Sequence, residues 1–298
     1  EMLTRDWSSD VCSSDLGTVS APIQEDETAL VLFVFSEFYH ASGNEVLLKE
    51  FYEPMVLPMA NFLAHYVDKH TGLPKPSYDL WEEKFMTTTY TTAVTHAALL
   101  AAADLAELYK DSDSAVQWRA VAEDIHESAQ KHLYNESRKA FYKGVSVAED
   151  GTITPDETID MSSIFGTFMF GLFPTSSEQT KCAVETALTT FGATDDRPGL
   201  PRYEHDGYRR ADGSDKPNWW FVTTLWVAQY FLEVGKTESA NAILKWVRDS
   251  AWSSGILAEQ IDPRTLEEAS VSPLCWSQAE YVDRKSTRLN SSHALASR

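Results

Sequence analysis

The chain has 298 residues, a formal charge of −20 from 45 acidic and 25 basic side chains, and 43% hydrophobic residues. Lys and Arg gather into no stripe, which argues against phosphate-backbone binding to nucleic acid. No apolar run reaches the ~20 residues that span a bilayer, so no membrane segment is predicted. An acidic surface of this kind favours solubility and suits a neutral substrate.

The two ends are set aside first. Residues 6–16 (DWSSDVCSSDL) and 283–293 (DRKSTRLNSSH) read as translated sequencing-library adapters, because codons can be chosen for the first whose reverse complement encodes most of the second. Segments of that origin are excluded from fold reasoning. Residues 1–16 and 283–298 are therefore expected to be artefact tails around a native stretch, 17–282, that is cut at both ends. The tails carry five acids and five bases, so the charge does not depend on them. Between them lies one large domain's worth of chain, enough for a core. Cys182 and Cys275 stand at no metal-ligand or disulfide spacing and are expected to be small core residues.

In chain order, the pattern predicts a helix over 25–41, stopped by Ser42-Gly43, and a second over 44–70, kinked at Pro54 and Pro58. Helices follow over 87–110 and 114–133, then an extended arm or hairpin over 139–147. Further helices are expected over 161–172, 177–191, 219–235 and 237–250, and a last one begins near Ser272. Their character alternates. The segments ALVLFVFSEF, TTAVTHAALLAAADLA, SSIFGTFMFGLF and WWFVTTLWVAQYFL are apolar on most sides and are expected to be buried all round. The helices between them are amphipathic: Ala240, Ile243, Leu244 and Val247 recur at helical spacing opposite Lys245, Arg248 and Asp249. Buried and half-exposed helices in turn predict an all-α protein, an (α/α)6 toroid of helical hairpins. No constant repeat length points to a solenoid. Nine helices are predicted where six hairpins need twelve, so the toroid is expected to be incomplete on its N-terminal side.

If the helices alternate in direction, every second connection shares a rim. Those connections hold the unusual clusters: Gln24-Glu25-Asp26-Glu27, PSYDLWEE (76–83), the acidic loop ending in Asp160, GLPRYEHDGY (199–208) and GILAEQIDP (255–263). The inventory is carboxylates, aromatics, one Arg and amides. It contains no metal-ligand cluster, no nucleophile elbow and no Gly-rich phosphate loop, so neither metal nor cofactor is expected. Aromatic faces suit sugar rings, and two carboxylates across a pocket can cleave an acetal.

At QEDETAL, PSYDLWEE, LPRYEHDGY, NWWFVTTLW, LAEQIDPRT and SPLCWSQAE the chain resembles glycoside hydrolase family 15, the glucoamylases and their prokaryotic relatives. The resemblance implies an exo-acting, inverting hydrolase that releases β-glucose from the non-reducing ends of α-glucans. It implies Glu82 as catalytic acid and Glu259 as catalytic base, with Asp79, Trp81, Glu83, Arg202 and Trp220 binding substrate. Burial beside Trp81 is expected to raise the pKa of the acid. An α,α-trehalase of the same family, or a glucan-binding domain without catalysis, is the alternative. The Arg-Asp pair that the family uses to grip the terminal glucose belongs to an earlier segment, so this chain alone is expected to be inactive.

The residues also have plainer readings. Asp79 and Glu83 suit a structural role, in capping or salt bridging, as well as a place in the pocket, and Arg202 has Glu204 and Asp206 as candidate ion-pair partners. His96 is expected to be a core histidine, and Asp160 to support the site from behind.

Overall fold

A computed structural model describes residues 23–283. Both adapter-like tails, apart from Asp283, and the first residues of the expected native stretch lie outside them. The described chain forms two compact units, residues 23–128 with 146–153 and residues 129–145 with 154–283.

The first unit is built on the packing of α1 (Glu25–Ser42) against α4 (Thr89–Tyr109). α1 stops at Gly43, whose φ of 62° is the left-handed conformation that glycine adopts without steric cost. Asn44 then caps α2 (Glu45–Phe51), its side chain accepting from the N–H groups of Val46 and Leu47. The predicted kink at Pro54 is a π-helical turn, Tyr52–Val56, and Pro58 sits in the first turn of α3 (Leu57–His65). α3 ends five residues short of the predicted His70. The Asp68 carboxylate accepts from the N–H groups of His70 and Thr71 (3.0 and 2.9 Å), and this local turn displaces the helix. A short hairpin, β1 (Ser77–Tyr78) with β2 (Phe85–Thr88), leads into α4. α5 (Ser112–His132) follows, with an apolar stripe of Trp118, Ala122 and Ile125 that is buried.

One expectation fails in α1. Ala29 and Leu32 are buried, but Val31, Val34 and Phe38 are 46%, 59% and 53% exposed. The helix packs mainly on α4 and α3, with a lighter contact to α2, and these three side chains are left facing outward.

The second unit begins with the hairpin of β3 (Tyr134–Asn135) and β4 (Ala140–Phe141), in the region where an extended arm is predicted. β5 (Gly144–Val147) and β6 (Ile153–Asp156) follow, with residues 146–153 counted in the first unit, then α6 (Met161–Met169), α7 (Glu178–Phe191), α8 (Phe221–Glu233), α9 (Thr237–Asp249) and a final helical stretch, 275–283. Its core is aromatic. Phe165 of α6 stacks on Trp226 of α8 with ring centres 4.3 Å apart, and Trp276 packs against the same indole at 5.7 Å. α9 buries Ala240, Ile243, Leu244 and Val247, as its periodicity requires.

Trp219 and Trp220, predicted as the first turn of a helix, form β7 instead. They pair with Ile261 and Gln260 of β8 (Gln260–Ile261), which pairs in turn with β9 (Glu268–Ala269). The Trp220 N–H is already given to the Leu200 carbonyl at 2.8 Å, so strand pairing claims the backbone that a helix would use. Neither cysteine is a core residue. Cys182 lies off the buried stripe of Ala183, Val184 and Ala187 on α7, half-buried, and Cys275 is exposed.

Candidate active site

The clustered connections meet within each unit. In the first, the chain entering α1 is tied to the β1–β2 hairpin by Tyr78 N–H donating to the Ile23 carbonyl (2.9 Å). The loop of that hairpin is closed by Asp79, which is 2% exposed. Its N–H donates to the Lys84 carbonyl (3.0 Å), its carbonyl accepts from Glu82 N–H (2.8 Å), and its Oδ1 accepts from the N–H groups of Glu83 (2.7 Å) and Lys84 (3.1 Å). Asp79 thus closes the loop that carries Glu82. Held this way, Glu82 adopts a φ of 58°. A left-handed backbone costs a non-glycine residue about 1–2 kcal/mol, and such strain gathers at functional sites.

Trp81 is buried, while Glu82 and Glu83 are exposed. The expected burial of the acid beside Trp81 is therefore not found, because the left-handed turn carries the Glu82 side chain outward. The carboxyls that lose water are a different pair. Glu25 and Asp26, in the first turn of α1, are 0% and 1% exposed. Neither carboxylate oxygen of Asp26 accepts a hydrogen bond of normal geometry. Burial pushes its pKa up to about 7, helped by the charges of Glu27 and Asp79 and opposed by nearby backbone N–H groups. Burial likewise raises Glu25 well above its ordinary value, against the Thr95 hydroxyl. The sequence marks this stretch as a polar cluster but gives no sign that two of its acids lie beneath the surface.

In the second unit three connections converge. The 199–208 loop is stitched to the chain before α6 by Met161 N–H to the Arg202 carbonyl (2.8 Å) and Glu204 N–H to the Ile159 carbonyl (3.0 Å). Arg202, 3% exposed, forms a two-pronged pair with Asp206, Nε to Oδ2 and Nη2 to Oδ1, both 2.8 Å. Its guanidinium lies 4.9 Å from the ring centres of both Tyr208 and Trp220. Of its two candidate partners Arg202 takes Asp206, since Glu204 is held by Arg138 (3.0 Å) and by the Ile159 N–H (2.8 Å). Trp220 is 4% exposed, packed under that guanidinium. Asp160 caps α6 through Ser162 N–H (2.7 Å) and pairs with the buried Lys143 (3.1 Å), whose Nζ stands 4.1 Å above the Tyr203 ring. It therefore supports the Arg202 loop from below.

Glu259 is half-buried beside the buried Leu257 and Ala258. Its N–H donates to the Val271 carbonyl (2.9 Å), and its Oε2 accepts from Gln260 Nε2 (2.9 Å) and from the Ser270 hydroxyl. Gln260 is anchored in turn by Asn218 Nδ2 (2.7 Å). Arg209, bonded to the Tyr208 hydroxyl (3.3 Å), also feels the charge of Glu259. Ser270 is a contact that sequence reasoning misses. It stands eleven positions away, and only the β8–β9 turn brings it back. Arg209, His205 and Ser270 share the positive φ of Glu82, at 47°, 64° and 67°. His96, in the first unit, is buried beside His126, as a core histidine.

The structure thus gathers Asp79, Trp81, Glu82 and Glu83 on one loop, and Arg202, Trp220 and Glu259 on another set. Each set offers a carboxylate fixed by neighbours, and among the described residues no group of His, Cys, Asp and Glu is placed to hold a metal ion. The sequence model of the family described as Glycosyl hydrolases family 15 matches residues 16–237. An uncharacterized glycosyl hydrolase of Methanocaldococcus jannaschii is 25% identical, over 87% of this chain and 41% of that protein. A glucoamylase of Clostridium sp. is 27% identical, over 78% of this chain and 36% of that protein. The chain thus spans about two fifths of the length of the curated relatives it matches. Among solved structures, a bacterial glucoamylase complexed with acarbose superposes with a TM-score of 0.75 at 21% identity, over 91% of this chain and 42% of that one.

Proposed function

The chain belongs to glycosyl hydrolase family 15, and from that premise we propose that it carries the acid–base half of an inverting, exo-acting α-glucan hydrolase of the glucoamylase type. Glu82 is the acid that protonates the departing glycosidic oxygen. Glu259 is the base that takes a proton from the attacking water, releasing β-glucose. Asp79, Trp81 and Glu83 shape the acid side, while Arg202 and Trp220 contact the sugar. Residues 17–282 make up the catalytic segment, and because the chain spans about two fifths of its curated relatives, this reading has it release no glucose alone.

The observation that carries this reading is the treatment of Glu82. A buried Asp79 gives its backbone N–H, its carbonyl and one carboxylate oxygen to fixing a loop whose product is one exposed carboxyl on a strained backbone. A solvated surface glutamate needs none of this. Because Glu82 is exposed, the docked sugar itself supplies the desolvation that a general acid needs. At the other carboxylate, two side-chain donors to Glu259 hold it in one orientation and leave its second oxygen for water. Inversion requires the two carboxyl groups ~6.5–9.5 Å apart, with the water between them.

The test is made on the completed polypeptide. Glu82→Gln and Glu259→Gln are each expected to lose maltooligosaccharide hydrolysis by about a hundred- to ten-thousandfold, and NMR of the first product should show the β-anomer. Substantial turnover in both variants, or α-glucose as first product, contradicts the assignment. Glucose release by the 298-residue chain contradicts its inactivity.

A further inference from the structure

The loop that follows α9 holds an aromatic cleft for which acetal cleavage has no use. Trp252 is 57% exposed, on a loop closed by its own N–H donating to the Ile256 carbonyl (3.0 Å) and by Gly255 N–H donating to the Trp252 carbonyl (2.7 Å). Gly255 supplies the φ of 81° that this closure requires. A closed loop displays the indole already ordered, which lowers the entropy lost on binding. Together with Tyr281, Arg248 and Ser253, Trp252 lines a cleft of about 300 Å³ floored by Val247 and Leu257. That volume is at the lower end for small-ligand sites.

The lining has the chemistry of a sugar site. Indole and phenol rings offer flat apolar faces, the Ser253 hydroxyl suits sugar hydroxyls, and the Arg248 guanidinium, bonded to Asp249 through Nε and Nη2 (3.0 and 2.9 Å), has Nη1 to offer a ring oxygen. No carboxylate lines the cleft, although the whole chain carries −20 charges. We propose that it is a second, non-catalytic binding site for α-glucan chains, holding one stretch of a polymer near the base loop. This rests on the substrate class given above. Glu259 stands seven positions after Trp252, so the two lie no more than ~25 Å apart along the chain. A polymer held at Trp252 thereby raises the local concentration of its chain ends around Glu259.

The experiment is affinity electrophoresis of the full chain through gels containing amylopectin, with maltoheptaose titrated against tryptophan fluorescence. Wild type is expected to be retarded. Trp252→Ala should weaken binding tenfold or more, as loss of a central aromatic anchor does, and Trp252→Phe should fall between. Its melting transition should be unchanged, since the indole is exposed. Glu259→Gln should be retarded like wild type, and saturating acarbose should not release the chain from the gel. Equal retardation of Trp252→Ala, release by acarbose, or no retardation of wild type overturns the proposal. The hydrolase reading fails by a different measurement, turnover in Glu82→Gln and Glu259→Gln of the completed polypeptide, so either can fall while the other stands.

Discussion

Replacing Asp26 by Asn is expected to stabilise this chain, and by an amount that depends on pH. Asp26 is 1% exposed, neither of its oxygens accepts a good hydrogen bond, and its pKa is pushed from 3.8 to about 7. Below about pH 4 both the folded and the unfolded carboxyl keep their proton, and the two variants should be close in stability. Between about pH 4 and 7 the unfolded chain gives up a proton that the folded chain retains. Wild type then loses about 1.36 kcal/mol per pH unit. Across the gap from 3.8 to about 7 the loss reaches roughly 4 kcal/mol, and above pH 7 it stays level. Asn keeps the shape and cannot ionise, so it removes the whole term. Urea denaturation followed by circular dichroism at pH 4, 6 and 8 should show the advantage of Asp26→Asn growing from near zero to roughly 4 kcal/mol. A difference that does not change with pH, or an Asn variant less stable at pH 8, refutes the reasoning. It would mean that Asp26 is hydrated, or that a cation neutralises it.

Other consequences are as direct. Glu82→Gly should raise stability by about 1 kcal/mol in urea titration, because glycine occupies the left-handed conformation without strain, even as hydrolysis by the completed polypeptide is lost. Lys143→Met should cost about 3–5 kcal/mol by leaving the buried Asp160 carboxylate without its counter-charge, and adding Asp160→Asn should recover part of that. A single-variant loss under about 1 kcal/mol would show that water reaches the pair. The exposed apolar side chains of Val31, Val34 and Phe38 on α1 favour self-association, so Val34→Lys with Phe38→Glu is expected to shift sedimentation toward monomer. Unchanged sedimentation would show that this face is not where copies meet.

The sequence by itself determined the helices and much of their burial. Periodicity at Ala240, Ile243, Leu244 and Val247 or at Trp118, Ala122 and Ile125 is a local property of side chains every three to four residues, and it survives into the structure unchanged. Stops were equally local, as Gly43 shows, because they depend on what one residue's φ allows. The motif residues could be named for the same reason: DLWEE and LAEQ are contiguous.

Tertiary structure decided whatever depends on partners distant along the chain. Trp219 and Trp220 left their helix because Leu200, Gln260 and Ile261 claimed their backbone. Ser270 reached Glu259 only through a strand reversal, and Arg202 chose Asp206 once Arg138 and the Ile159 N–H had taken Glu204. Most of all, hydration was not legible. Glu82 and Asp26 are both acids in polar clusters, yet the backbone turns one into water while packing against α4 removes water from the other. Charge is written in the residue, but the dielectric around it is set by neighbours that only the fold assembles.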